Sequence, residues 1–153
     1  AFYKELAHVP SVDGILKVAE LARNKWNMHV ECVTNIIPGR NDSRENLEQT
    51  ARWISENLGT DTPWHITRFF PYGELSDIPP TPPETLDAAQ RTGREYGLKF
   101  VYLGNILTQT GENTYCPSCG NLAVQRSRYF TRITGLDPEG RCSVDHENLN
   151  IVL

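Results

Sequence analysis

The stretch "TPPETLDAAQRTGREYGLKFVYLGN" (residues 81–105) carries the clearest secondary-structure signals of the chain. Thr81 is predicted to cap a helix, with Pro82 at the first helical position and Glu84 completing a capping box. Gly97 supplies a left-handed stop, and the apolar run that follows predicts a strand. The stretch is therefore one helix–strand unit, whose helix is expected to bury Leu86, Ala89 and Tyr96.

Two earlier segments repeat this order. The first helix is predicted to begin at Ser11 and precedes a strand over 28–39, and the second is capped at Asp42 or Ser43 and precedes a strand over 63–71. Alternation with short connections implies parallel strands joined by right-handed crossovers. The strands read as nearly continuous apolar runs, which predicts that both faces of the sheet are buried. Three strands are too few for a closed barrel, so we expect a segment of a larger sheet or barrel whose first half lies outside this chain.

Composition restricts the class of protein. The chain has 153 residues, 39% of them hydrophobic and 22% charged, with a net charge of -4. These values are typical of a folded globular protein, and the acidic balance argues against nucleic acid as a partner. No apolar run approaches the roughly 20 residues of a bilayer span, so no membrane partner is expected. With no signal peptide and no secreted disulfide pattern among its four cysteines, the protein is expected to be cytoplasmic.

The character of the sequence changes near residue 111. From there, glycines separate short segments such as "RYFTRI", a pattern typical of small hairpins. We therefore predict an α/β part over 1–110 and a small cysteine-containing metal ribbon over 111–153.

The cysteines of this second part suggest a metal site. In "TYCPSCGNLAV" (114–124), Cys116 and Cys119 flank a two-residue spacer, and Gly120 lets the chain curl so that both sulfurs reach one ion. Cys142 lies in a second tight turn, "GRCSVDH", and supplies a third thiolate. The spacing therefore predicts a zinc or iron site with three cysteine ligands.

The sequence leaves two candidates for the fourth ligand. Asp145 stands where another cysteine would be expected, and His146 is beside it. Other interpretations remain: a redox pair of Cys116 and Cys119, a disulfide between them in a loop too short to stabilise much, or a ribbon that has lost its metal, with Asp145 as the sign of that loss. Cys32 belongs to a strand and is interpreted as a core residue.

The carboxyl ends of the strands are the expected ligand edge of a parallel sheet. They read "NIIPG" (35–39), "RFFPY" (68–72) and "GN" (104–105), with flat apolar side chains and open backbone groups. These ends could bind an adenine or a thioether, or serve only as packing at a barrel rim. His65, in the middle of the second strand, is expected to be buried and hydrogen-bonded.

Four strings resemble a known family. "TNIIPGRNDS" (34–43), "WHITRFFPYGELSDIPPTPPETL" (64–86), "GLKFVYLGN" (97–105) and "NTYCPSCGN" (113–121) are similar, in this order, to the C-terminal half of radical S-adenosylmethionine (radical SAM) enzymes of the AmmeMemoRadiSam system. These enzymes are relatives of the pyruvate formate-lyase activating enzymes. The resemblance covers residues 2–145 and implies the distal half of a partial (βα)6 TIM-like barrel with a C-terminal rubredoxin-like ribbon.

The resemblance also implies an activity. A [4Fe-4S] cluster cleaves S-adenosylmethionine to a 5′-deoxyadenosyl radical, which abstracts hydrogen from an unknown small-molecule or protein substrate, and other proteins of the system are candidate partners. The CxxxCxxC cluster motif is absent from this chain, so the cluster ligands would lie outside it and the chain alone would be inactive. Relatives often carry His where Phe70 stands. The positions implied to flank or close over the adenine are Ile36, Ile37, Pro38, Gly39, Phe70 and Pro71.

Two rival hypotheses remain at this point. One is a binding module in which the metal ribbon docks a protein partner and the α/β part is a scaffold without catalysis. The other is a redox protein that uses the ribbon as a one-electron iron centre.

Overall fold

The computed structural model describes residues 2–6, 8–107, 110–127 and 129–153, and the side chains from Lys4 onward within them. The helices are α1 (Phe2–Leu6), α2 (Asp13–Glu20), α3 (Arg44–Asn57) and α4 (Pro83–Glu95), with a π-helical turn at Leu21–Lys25 and a 3-10 turn at Gly73–Leu75. The strands are β1 (Cys32–Ile36), β2 (Trp64–Arg68), β3 (Val101–Gly104), β4 (Thr114–Tyr115), β5 (Leu122–Ser127) and β6 (Phe130–Ile133).

The first three strands form the predicted parallel sheet. Its order is β1-β2-β3, with α3 connecting β1 to β2 and α4 connecting β2 to β3. The prediction of alternating helices and parallel strands is therefore confirmed, although each strand is shorter than its apolar run. Among the described residues, β1 pairs only with β2 and forms an edge of the sheet.

One face of the sheet carries the main hydrophobic core. Side chains from alternate positions of the strands, including Ile36, Trp64 and Leu103, pack with those of α3 and α4. The opposite face is not buried in the same way, since Val33 is 69% exposed and its cross-strand neighbours His65 and Tyr102 are half-buried. The prediction that both faces are buried is wrong for the described residues, because a short apolar run does not distinguish a strand covered on one side from a strand covered on both.

The starts of two helices differ in how they are capped. Ser43 accepts a hydrogen bond from the Asn46 N–H at 3.2 Å and caps α3 as predicted. Thr81 does not cap α4, which begins at Pro83. The N-cap position is taken by Pro82, whose backbone is extended and whose side chain makes no capping hydrogen bond. The Thr81 hydroxyl is instead buried and hydrogen-bonded at the end of the parallel sheet.

Thr81 joins the ends of two strands. Its hydroxyl donates to the Ile36 carbonyl at 2.6 Å and accepts from the Phe69 N–H at 2.8 Å. Buried backbone groups must be hydrogen-bonded, and this demand outweighs the weaker local preference for capping.

The remaining strands form a small antiparallel sheet in the order β4-β5-β6, which confirms the predicted hairpins. A second hydrophobic cluster lies beneath it and includes Cys116, Val124 and Cys142, together with Phe100 from the segment before β3. The Leu103 N–H also donates to the Gly111 carbonyl at 2.9 Å. The ribbon therefore packs against the β3 side of the parallel sheet.

The helices of the described ranges can also be compared with the dimensions of a bilayer. None of them is both long enough and apolar enough to cross a membrane.

Candidate metal centre

Four donor groups converge at one end of the ribbon. The sulfurs of Cys116, Cys119 and Cys142 and a carboxylate oxygen of Asp145 all lie within 4.8 Å of one another. Thiolate and carboxylate groups in such a cluster are typical ligands of zinc, and this set could bind a metal ion.

The first pair of sulfurs lies on a tight backbone turn. The Cys116 N–H donates to the Asn121 carbonyl at 2.8 Å, and the Gly120 N–H donates back to the Cys116 carbonyl at 2.9 Å. Gly120 has a φ of +75°, a conformation that glycine adopts without a steric penalty. The turn therefore needs the glycine that the sequence places directly after Cys119.

The second turn repeats this hydrogen-bond pattern. The Cys142 N–H donates to the Glu147 carbonyl at 3.0 Å, and the His146 N–H donates to the Cys142 carbonyl at 2.9 Å. His146 has a φ of +59° and occupies the position that Gly120 has in the first turn. Asp145 is consequently the structural counterpart of Cys119, as the spacing of the sequence suggested.

Two of the donor separations are close to those expected around a tetrahedral ion. With bonds of about 2.3 Å to sulfur and about 2.0 Å to oxygen, tetrahedral ligands lie about 3.8 Å apart for two sulfurs and about 3.5 Å apart for sulfur and oxygen. Cys119 Sγ and Cys142 Sγ are separated by 3.6 Å, and Cys116 Sγ lies 3.5 Å from each carboxylate oxygen of Asp145. These two separations and the donor types are compatible with one bound metal ion.

His146 does not join the donor set. Its imidazole is exposed, and its Nδ1 lies 3.3 Å from Oδ2 of Asp137. The Asp137 carboxylate also accepts the backbone N–H groups of Arg141 and Glu139, which fixes its place in the preceding loop. Of the two predicted candidates for the fourth ligand, the structure brings Asp145 to the sulfurs.

The groups of this cluster differ in how readily they ionise. A backbone N–H from Asn121 favours the Cys119 thiolate, but burial and the neighbouring sulfurs and carboxylate outweigh it and raise the pKa of Cys119 to about 12. Hydrogen bonds from Cys142 and then Ser118 hold the pKa of Asp145 below its ordinary value. Negative charge therefore settles on the carboxylate first, and a divalent cation would favour ionisation of Cys119.

The residues that were predicted to bind the nucleotide differ in their burial. The side chains of Ile36 and Ile37 are buried, and Ile36 belongs to the core beneath α3 and α4. The Ile36 carbonyl is also occupied by Thr81, and the Ile37 N–H by Asn41 Oδ1 at 2.7 Å.

The other positions at this edge are accessible. Gly39, Phe70 and Pro71 are exposed, and Pro38 is half-buried. Phe70 is 53% exposed, and the Arg68 guanidinium lies 5.0 Å from the centre of its ring. The carboxyl edge of the sheet thus offers one aromatic face beside a cation.

A polar cluster on the open face of the sheet was not singled out from the sequence. The Glu31 carboxylate bridges two imidazoles, with Oε1 2.8 Å from His29 Nε2 and Oε2 2.8 Å from His65 Nε2. His65 is hydrogen-bonded as predicted but only partly buried. The sequence signal that could have indicated this cluster is the spacing of residues 29, 31 and 33, because alternate residues of an extended chain lie on the same side.

This cluster lines a cleft of about 450 Å³ between the sheet and the ribbon. Across the cleft, the Tyr102 hydroxyl is 2.9 Å from the hydroxyl of Thr114, which also accepts from the Arg126 guanidinium at 2.6 Å. The ribbon is therefore connected to the open face by polar contacts as well as by apolar packing.

Fold and site together define an α/β protein with a parallel three-stranded sheet and a cysteine-rich ribbon that could hold a metal ion. No family model matches the chain. It is 40% identical over 153 residues to the uncharacterized protein MJ0808 of Methanocaldococcus jannaschii, in an alignment that covers 99% of this chain and 45% of the relative. The chain thus spans less than half the length of the relative it matches.

Proposed function

We propose that this chain is the C-terminal portion of a radical S-adenosylmethionine enzyme. Its sheet would be the distal part of a (βα)6 barrel, and its ribbon would hold one zinc or iron ion through Cys116, Cys119, Cys142 and Asp145. The [4Fe-4S] cluster that cleaves the cofactor would be bound by cysteines outside these residues. The substrate would be a small molecule or a protein that loses a hydrogen atom to the 5′-deoxyadenosyl radical.

The observation that carries this proposal is the one-sided sheet. In a barrel of parallel strands, helices cover the outer face, and the inner face turns toward the barrel axis, with the site at the carboxyl ends of the strands. Here α3 and α4 pack on one face, while the other carries Asn35, His65 and Thr67, which are half-buried or exposed. The free edge of β1 is where a further parallel strand would pair.

The length of the archaeal relative supports the proposal. The aligned part is 45% of that protein, so more than half of its chain is available for further strands and for cluster ligands. A larger polypeptide would also bury the exposed Val33 of β1.

The carboxyl edge has surfaces that suit the cofactor. Gly39 and Pro38 form a turn after β1, and Phe70 and Pro71 follow β2 with their side chains accessible. A planar adenine can stack on an aromatic ring, and such contacts are tolerant of sequence. In this proposal Phe70 is the principal contact, and Ile36 and Ile37 support the edge from beneath.

The test uses the complete gene product that contains these residues, purified without oxygen. We expect iron and sulfide for one [4Fe-4S] cluster, an electron paramagnetic resonance signal after reduction that changes when S-adenosylmethionine is added, and release of 5′-deoxyadenosine with dithionite. A complete product that has no cluster and leaves S-adenosylmethionine intact would contradict the proposal.

A variant of this chain sharpens the test. Phe70→Ala should weaken S-adenosylmethionine binding by about 5- to 160-fold, because one stacking contact is worth about 1–3 kcal/mol, and it should leave the cluster content unchanged. Tyr72→Ala is the matched control, since Tyr72 is 88% exposed two residues further along. Equal effects of the two substitutions would argue against an adenine at Phe70.

A second candidate function is a metal-ribbon interaction module without catalysis. It is favoured by the exposed aromatic residues of the β5–β6 hairpin, where Phe130 is 81% exposed and Tyr129 is fully exposed. Exposed apolar groups of this kind are typical of protein contact surfaces. Loss of partner binding in Phe130→Ser, in a complete product that does not cleave S-adenosylmethionine, would support this function instead.

A further inference from the structure

We infer that Asp145 is an exchangeable ligand, so that the ribbon ion can take an external thiolate from a small thiol compound. This inference rests on the proposed metal centre. It concerns the one position of the donor set at which the second turn differs from the first.

Two of the cysteines are held more firmly than the carboxylate. Cys116 and Cys142 are buried in the second hydrophobic cluster, whereas Cys119 is exposed on the glycine turn between Cys116 and Asn121. Asp145 is exposed, at the solvent side of the cluster. An incoming ligand can therefore reach the ion from the side of Asp145 without opening the core.

Asp145 can also keep a backbone hydrogen bond when it leaves the ion. Its Oδ1 accepts the Glu147 N–H at 3.2 Å. When the Asp145 carboxylate is displaced from the ion it remains in water, so no charge is left buried and the free-energy cost of the exchange is small.

The chemistry of the ion selects the class of incoming ligand. A soft or borderline ion with three thiolates prefers a fourth sulfur to a carboxylate oxygen. Closed structural zinc sites have four protein ligands, whereas sites that bind an external group keep one position open to it. A carboxylate in place of the fourth cysteine makes such a position available here.

The exchange balances without a redox step. The thiol gives its proton to solvent, its sulfur bonds to the ion, and the bond between the ion and the Asp145 oxygen breaks. The carboxylate remains ionised, and the ion keeps its oxidation state. The ion would have four ligands before and after the exchange.

The experiment replaces the ion with Co²⁺, whose sulfur-to-metal charge-transfer absorption reports the number of bound thiolates. The complete protein is kept reduced with a phosphine and titrated with 2-mercaptoethanol. We expect the absorption to increase by about one third as the thiolates rise from three to four. Glu139→Ala removes another exposed carboxylate of the ribbon and should behave like the unaltered protein.

Two variants at Asp145 complete the design. Asp145→Cys should show the four-thiolate spectrum from the start and no response to the thiol. Asp145→Asn, a weaker ligand of similar size, should respond at a lower thiol concentration. An unaltered protein whose three-thiolate spectrum does not change, or that loses Co²⁺ to the thiol, overturns the inference. A protein that binds no Co²⁺ at all overturns the proposed metal centre instead.

Discussion

The Sγ atoms of Cys119 and Cys142 lie 3.6 Å apart, although 23 residues separate them in the chain. Two turns with the same backbone hydrogen bonds bring them together, and Asp145 completes the set from the second turn. The four donor groups thus lie together at one end of the ribbon, and two of them, Cys116 and Cys142, also belong to its small hydrophobic cluster. A domain of this size usually needs such an additional link.

The first prediction concerns the metal. Cys142→Ala should reduce bound zinc or iron from about one equivalent per chain to near zero, because three remaining donors, one of them a carboxylate, hold the ion far less tightly. The content is measured by elemental analysis after anaerobic purification. Cys32→Ala is the control, since Cys32 packs against the other core and is not in the donor set. Equal metal content in the two variants would refute the assignment.

The second prediction concerns the Thr81 hydroxyl. Thr81→Val keeps the shape of the side chain but leaves the Ile36 carbonyl and the Phe69 N–H without this partner. The free energy of unfolding should fall by about 2–5 kcal/mol, as expected for two buried groups left unsatisfied. Denaturant titration measures it, with Thr50→Val as the control because its hydroxyl bonds within an exposed turn of α3. A loss below about 1 kcal/mol would show that the bridge is unimportant.

The third prediction concerns the contact of α4 with the sheet. A Cβ at Gly93 would lie 2.9 Å from Trp64 Cε3 and 2.9 Å from Val101 Cγ2, both on stiff side chains. Gly93→Ala should destabilise the protein by about 1–3 kcal/mol despite the better helix propensity of alanine.

Gly14 provides the matched control. It lies in α2, and a Cβ added there would meet no atom within 4 Å, so Gly14→Ala should stabilise by up to about 1 kcal/mol. Thermal unfolding of the two variants should shift in opposite directions, and a stabilising Gly93→Ala would contradict the close packing.

The fourth prediction concerns pH. The hydrogen bond from His29, opposed by partial burial and reinforced by His65, lowers the pKa of Glu31 below its ordinary value of 4.5. A depressed pKa means that this stabilisation is present above pH 4.5 and is lost as the pH falls through the lower, folded-state pKa. Because the carboxylate is nearly half exposed, the effect should be about 0.2–1 kcal/mol.

Glu31→Gln should therefore lose stability at pH 7 and show a shallower decline between about pH 5 and pH 3 than the unaltered protein. Glu84→Gln, at an exposed position of α4, is the control and should retain the steeper decline. Parallel stability curves for the Glu31 variant and the unaltered protein would be inconsistent with the bridge.

Local patterns were enough to predict the helix–strand order. The Ser43 cap of α3 depends on residues a few positions apart, and it is found in the structure. The same holds for the turn at Cys119 and Gly120. The short α1 was not predicted, because five residues contain too little periodicity to be recognised.

The sequence by itself thus determined the parallel arrangement, the ribbon hairpins and the candidacy of three cysteines, since each follows from spacing along the chain. Only the tertiary structure decided that one face of the sheet is open, that Thr81 bridges strands and that Asp145, rather than His146, meets the sulfurs. In each of these cases the partner is distant in sequence: Ile36 is 45 residues from Thr81, and Cys116 is 29 residues from Asp145. Such contacts depend on how the elements pack, because a side chain takes the strongest partner that folding brings within reach, whatever its local pattern favours.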